Sequence, residues 1–524
     1  MLAGAVMLGL APFLGKAFHV DEPLFIWMAR HIQEHPLDPY GFSVNWYGTP
    51  APMAEVMRNP PLVPYVMAVW AAIAGWSEWS LHALFLAAAV AAVLGTYSLA
   101  SSLCRRPVLA ACAAAASPAF FVSSTTVMCD VPMLALFVWS LAWWVRGIDA
   151  GDRRSLGIAA MLGALAVLTK YNGAILMLLF AVYAWRKRAP VTWMAYASVP
   201  VVALAACLAL IALRYGAGTL GQAITLAAPD QSAAPASAIA TQTTVTLAFV
   251  GGCFITVLFS AFALWPRWTI GVVGLAAGVG WIWAPVLPGA AGADPLRSAE
   301  FCVFAVSGAI FVAVALRDFR RNADAGSLLL LVCAAATVIF SCVLSWSVSA
   351  RYLLPLAPVS GILIARAFDA RPRSTGIVTL PIVTAAFVSL CVAASDAREA
   401  ASAKSAAAIV AARHAGRPDT LWYEGHWGFQ YYIDLAGAKA LDFDRPLLAT
   451  GDVMVIPGNN ANTQLLDPKW ARSTETVAVA GPRWVSTLNP QAGAGFYSSV
   501  YGALPFAIGP VPDETYVLAT IGPK

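Results

Sequence analysis

The stretch His19-Val20-Asp21-Glu22-Pro23 follows directly on an apolar segment, residues 1–18, and opens a long loop over residues 19–80. Two adjacent carboxylates stand where an apolar run ends. The chain is 60% apolar and only 11% charged, with a mean hydropathy of +0.72. In such a chain an ionisable group is costly unless it faces water or a partner, so the few at the ends of apolar runs are candidate functional groups.

Working outward, the composition lies far from that of soluble globular proteins and defines a polytopic, all-helical membrane protein. The net charge of +5 does not point to nucleic acid, because the basic residues are spread over short loops and form no single face. None of the nine cysteines lies beyond Cys391, so the polar tail has no disulfide framework. Residues 1–18 lack a basic leader and a small-residue cleavage site, and read as a first membrane helix rather than a signal peptide.

Apolar runs long enough or nearly long enough to span a bilayer recur at about 1–18, 81–103, 107–123, 131–146, 156–169, 172–185, 191–213, 243–264, 269–287, 300–316, 327–346, 352–368 and 376–394, about 13 in all. Leu62 to Gly75 is set aside as an interfacial or re-entrant helix. Alternate loops then separate by charge. One set carries 15 of the 22 Lys and Arg residues before residue 396, including Arg105, Arg106, Arg186, Lys187, Arg188, Arg317, Arg321, Arg366 and Arg371. The positive-inside rule places that set in the cytoplasm. The loop 19–80 and the tail 396–524 fall outside, giving a membrane domain over 1–395 and a small extracytoplasmic α/β domain over 396–524. In that tail Thr420 to Tyr423, Asp452 to Ile456 and Thr515 to Thr520 read as strands, and Trp427 to Leu435 as a helix stopped by Gly437.

Five polar residues defy the inside bias or stand at the outer ends of apolar runs. Asp21 and Glu22 precede Pro23, a good first-turn residue, so either serves as a helix cap or as a chemical group. Asp130, in Met128-Cys129-Asp130-Val131-Pro132, has the same two readings. Lys170, in Thr169-Lys170-Tyr171-Asn172-Gly173, and Arg351, in Ser349-Ala350-Arg351-Tyr352, either snorkel to the headgroups or clamp an anion. Acids and bases gathered on one membrane face suit a general base with a clamp for a phosphate leaving group.

Taken in order, Asp21-Glu22 after the first span, Asn59-Pro60-Pro61-Leu62 before an apolar helix, Cys129-Asp130-Val131-Pro132-Met133, Leu168-Thr169-Lys170-Tyr171-Asn172-Gly173 and Arg351-Tyr352-Leu353-Leu354-Pro355 resemble the GT-C membrane glycosyltransferases of the protein O-mannosyltransferase and lipid A aminoarabinose transferase type. The resemblance covers about residues 15–370. Relatives often carry a lysine where this chain has Asn59, although Arg58 is adjacent. The resemblance implies inverting transfer of a sugar from a polyprenyl-phosphate donor to a lipid, glycan or protein acceptor at the outer face of the cytoplasmic membrane. Asp21 would be the base, with Glu22 beside it. Asp130 would position acceptor or sugar, or join Asp21 and Glu22 in holding a divalent ion. Oxygen ligands favour Mg, Ca or Mn, while His19 would admit zinc. Lys170, Arg351, Tyr352 and Arg58 would meet the donor phosphate. In the tail, Glu424 and His426 sit in an aromatic run and are read as acceptor contacts. A transporter or flippase of a lipid-linked sugar is the rival class.

Overall fold

The computed structural model describes the whole chain apart from residues 217–235, 266, 283–293, 372, 465–467 and 524. Among the described residues six helices are long and apolar enough to cross a membrane: Glu78–Leu103, Asp130–Ala150, Val191–Tyr215, Pro295–Asn322, Ala325–Leu344 and Thr375–His414. The count of 13 expected from hydropathy is thus met only in part. Several other runs are helical but short or interrupted, and prolines account for some of this. Residues 107–123 split into Pro107–Ala115 and Pro118–Ser123, because Pro118 lacks the N–H that a continuous helix would need. Leu62–Ala74, set aside as a span, is a 13-residue helix ended by Gly75 at φ 82°. It packs beside the loop helix Glu22–Glu34, with Gln33 Nε2 donating to Ala68 O at 2.7 Å.

The loops grouped by charge in the sequence do meet at one end of the bundle. Arg366 pairs with Asp318 at 3.2 Å and Asp324 at 2.8 Å, Arg106 with Asp369 at 3.5 Å, and Arg186 donates to the carbonyl of Ala323. Asp21, Lys170, Arg351 and the tail gather away from these. The positive-inside pattern and the contacts therefore agree on which loops share an end.

The tail contains a five-stranded sheet in the order Lys439–Ala440, Leu421–Tyr423, Val453–Pro457, Glu514–Ile521, Ala471–Val479; the first two pairings are parallel and the last two antiparallel. Phe429 and Ile433 of helix Trp427–Leu435, and Ala406, Ala407 and Val410 of the long helix, cover its Leu421, Tyr423, Val453 and Val455 face. The boundary expected between residues 395 and 396 falls inside the 40-residue helix Thr375–His414. The later tail also returns to the membrane-domain core. Ala350 N donates to Phe496 O at 2.9 Å and Ser499 N to Val348 O at 2.7 Å, while Phe496, Tyr497, Leu504 and Phe506 join the main core.

Candidate functional site

Where loop, bundle and tail converge lies a cavity of about 690 Å³, with Asp21, Arg58, Lys170, Arg351, Tyr352 and His426 in its walls. Six residues scattered over more than 400 positions share one space. Each comes from the end of an element. Asp21 precedes helix Glu22–Glu34, Lys170 closes helix Arg153–Thr169, and Arg351 lies in the turn before helix Leu356–Ala370.

The capping reading of Asp21 fails. It occupies the cap position, yet its side chain makes no cap bond. Its Oδ2 instead accepts a hydrogen bond from Arg351 Nη2 at 3.0 Å, and the carboxylate is 33% exposed towards the cavity. Asp130 likewise starts helix Asp130–Ala150 without capping it and forms a close pair with Lys170 Nζ, while its second oxygen lies 3.9 Å from Arg351 Nη1. The result is an alternating chain, Asp21, Arg351, Asp130, Lys170. Only 1% of the Asp130 side chain is exposed, so it stands behind the two bases. Tyr352 lies under Lys170, whose Nζ is 4.7 Å from the ring centroid. Arg58 donates Nε to Glu55 O at 3.2 Å and has no carboxylate within 4.0 Å among the described residues. The walls thus hold three bases against one acid, with a second acid behind, which leaves a positive balance suited to an anion.

Two expected contacts lie elsewhere. Glu22 is fully buried, with Oε2 accepting from His19 N at 3.1 Å, and burial pushes its carboxyl up to about 8. Glu424 is also buried away from the cavity, accepting from Gln464 N at 2.7 Å, with burial raising it to about 7. His426 does reach the cavity, its ring 4.6 Å from that of Trp46, and burial lowers it to about 3 so that it is neutral.

The expected metal set is not assembled. His19 Nε2 lies 3.9 Å from Asp396, in another pocket, and among the described residues no three His, Cys, Asp or Glu side chains cluster as ligands. Asp21 and Asp130 are already neutralised by Arg351 and Lys170. These residues do not fit a divalent ion as they stand.

Sequence reading missed Tyr497. It lines the cavity, carries Arg351 over its ring at 5.4 Å, and donates its hydroxyl to Asp396 at 2.9 Å. Asp396 in turn pairs with Lys16 at 2.5 Å and accepts from Thr487 at 2.7 Å. An aspartate at the end of the last apolar run was the available signal. Trp46, Tyr47, Trp346, Trp427 and Tyr501 supply an aromatic wall. Backbone strain marks the same walls: Val20, just before Asp21, has φ 47°, and Trp427 φ 66°. A left-handed β-branched residue is a rare conformation that concentrates at functional sites.

Residues 58–215 match the family model described as dolichyl-phosphate-mannose-protein mannosyltransferase. The match takes in Arg58, Asp130 and Lys170, and it agrees with the GT-C resemblance carried by the motifs. No curated protein matches the chain at a significant level. Among solved structures, the chain is similar to the oligosaccharyltransferase of Archaeoglobus fulgidus, at 15% identity and TM-score 0.47 over 84% of this chain and 64% of that one. It is also similar to ArnT from Cupriavidus metallidurans bound to undecaprenyl phosphate, at 14% identity and TM-score 0.44 over 87% and 92% of the two chains. The arabinosyltransferase EmbB of Mycobacterium smegmatis is matched at 14% identity and TM-score 0.32 over 89% of this chain and 44% of that one. The chain thus spans just under two thirds of the oligosaccharyltransferase.

Proposed function

We propose that this protein transfers a sugar from a polyprenyl-phosphate donor to a hydroxyl acceptor, with inversion, in the cavity on the outer face of the cytoplasmic membrane. The observation that carries the reading is the convergence of Asp21, Arg58, Lys170 and Arg351 on one space beside an aromatic wall. Arg58, which lacks a carboxylate partner among the described residues, receives the donor phosphate first. Arg351 donates to one oxygen of Asp21 and leaves the other to take the acceptor proton. The acceptor oxygen attacks the anomeric carbon as the bond from that carbon to the phosphate oxygen breaks. The bonding pair leaves with the polyprenyl phosphate, whose added charge Arg58, Lys170 and Arg351 neutralise. Asp130 is a positioning residue that fixes both inner bases. Trp46, Tyr501 and neutral His426 offer flat faces and a hydrogen-bonding edge to a sugar ring.

The test is turnover of purified, lipid-reconstituted protein on a labelled panel of polyprenyl-phosphate hexoses and pentoses, with a mixed glycan and lipid acceptor fraction. Acceptor-dependent release of polyprenyl phosphate is expected. Movement of the intact donor across the bilayer without release would replace the proposal with a transporter.

A further inference from the structure

A second cavity, of about 610 Å³, opens at the basic end of the bundle, among Glu78–Leu103, Pro295–Asn322 and Leu356–Ala370. The reaction proposed above makes no use of it. One wall is apolar, with Val257, Leu264, Phe311, Val314, Leu363 and Ile364; the other carries Arg105, Arg317, Arg321, Arg366 and Arg371 beside Asp318, Asp324 and Asp369.

The acids there are already engaged. Asp318 and Asp324 both pair with Arg366, while Asp369 accepts from Arg105 N at 2.8 Å and faces Arg106 at 3.5 Å. Arg371 donates to Leu264 O at 2.8 Å. Among the described residues, the guanidinium groups of Arg105, Arg317 and Arg321 have no carboxylate within 4.0 Å. Arg317 and Arg321, four residues apart, lie on one helix face, and Arg321 and Arg371 are the charged neighbours of Arg317. Like charges crowded at the rim of a half-apolar cleft repel one another unless an anion joins them. Arg317 and Arg321 are exposed at the rim of the cleft, with buried Phe311 and Leu363 at its back, so a charged headgroup can reach them while its chain enters the apolar side.

We infer that this cavity binds a phosphate-bearing anionic lipid, its headgroup held by Arg317 and Arg321 and its chain laid along Val314, Phe311 and Leu363. The two guanidinium groups offer forked donors that match phosphate oxygens, and the apolar wall separates a lipid-borne phosphate from a free one. The ligand stands apart from the donor, whose phosphate belongs to the opposite end of the bundle.

The experiment is native mass spectrometry of detergent-purified protein after delipidation, followed by titration with phosphatidylglycerol, phosphatidylethanolamine or inorganic phosphate. One tightly retained phosphatidylglycerol per chain is expected. The double variant Arg317→Gln/Arg321→Gln should weaken that binding by at least about tenfold, the scale of losing charge-assisted hydrogen bonds. Arg153→Gln/Arg154→Gln, at another loop of the same charge class, should not. Val314→Trp fills the cleft without changing charge and should also expel the lipid, which keeps the test decisive if the double variant misfolds. Equal retention of phosphatidylethanolamine, or binding untouched by both the charge and the filling variants, would overturn the inference. Saturable stabilisation by inorganic phosphate alone, without lipid retention, would show a phosphate site and refute the lipid.

Discussion

Asp21 is the residue on which the proposed chemistry turns, and its side chain is free of the capping bond that its position at a helix start would suggest. Because its side chain makes no cap bond, Asp21→Asn should leave the thermal midpoint almost unchanged while lowering kcat by about 100- to 10,000-fold, the usual worth of general-base catalysis. Matching kinetics and melting curves measure both. Tyr497→Phe keeps the ring under Arg351 and removes only the hydroxyl to Asp396, so kcat should fall less than about tenfold. Tyr497→Leu also removes the cation–π contact, worth about 0.5–2 kcal/mol, and should raise the donor KM in addition. If the two variants behave alike, the ring does not position Arg351. Glu424 gives a pH prediction. Its folded carboxyl titrates near 7, above the unfolded value, so the stability it lends is complete below about 4.5 and is lost as pH rises through 7. Glu424→Gln should therefore narrow the drop in melting temperature between pH 5 and pH 8; an unchanged drop would mean the group is not protonated at pH 5. At this scale the sequence singled out Asp21, Lys170 and Arg351, which the fold brings to one cavity, since ionisable groups at apolar boundaries are rare. It misjudged Glu424, because an acid among aromatics looks the same whether it faces a cavity or closes onto a backbone N–H such as that of Gln464.

Among the elements, local periodicity and caps were legible. Helix Trp427–Leu435 ends before Gly437 at φ 88°, and strands Leu421–Tyr423, Val453–Pro457 and Glu514–Ile521 lie where β-rich runs were read. What could not be read was the return of residues 485–508 to the core, since Ser499 and Val348 are 151 positions apart and nothing in either segment names the other. The docking of helix Trp427–Leu435 is tight enough to test by one methyl group. A Cβ on Gly428 would come within 2.1 Å of the Phe18 carbonyl. Gly428→Ala should thus cost about 1–3 kcal/mol by overpacking, seen as a lower melting temperature together with lost turnover. Gly376→Ala, which meets nothing within 4 Å, is the control and should do neither.

For the whole molecule, the loop ribbon Ser43–Asn45 and the edge strand Ala471–Val479 belong to the end opposite the arginine cluster. Cysteines placed at exposed Ser43 and Ser473 should both react with a membrane-impermeant thiol reagent in intact cells. Protection of either, with insertion verified, would reverse the proposed orientation. Spans of ordinary length were readable from hydropathy; the broken and shortened helices were not, because Pro118 and its neighbours interrupt the backbone without interrupting the apolar run.

The helix Thr375–His414 has one further consequence. At about 1.5 Å per residue, 40 residues make a rod about 60 Å long, roughly twice the hydrocarbon thickness. Its lower half is anchored by the bundle and its upper half by the sheet, so it works as a gear shaft between them. Inserting one residue midway would turn the sheet by about 100° about the shaft and carry Trp427 and Tyr497 off the cavity. Inserting seven would nearly restore the angle but lift the sheet by about 10 Å. A tail transplanted from another chain would therefore have to agree with this one in helical phase and height, whatever its sequence.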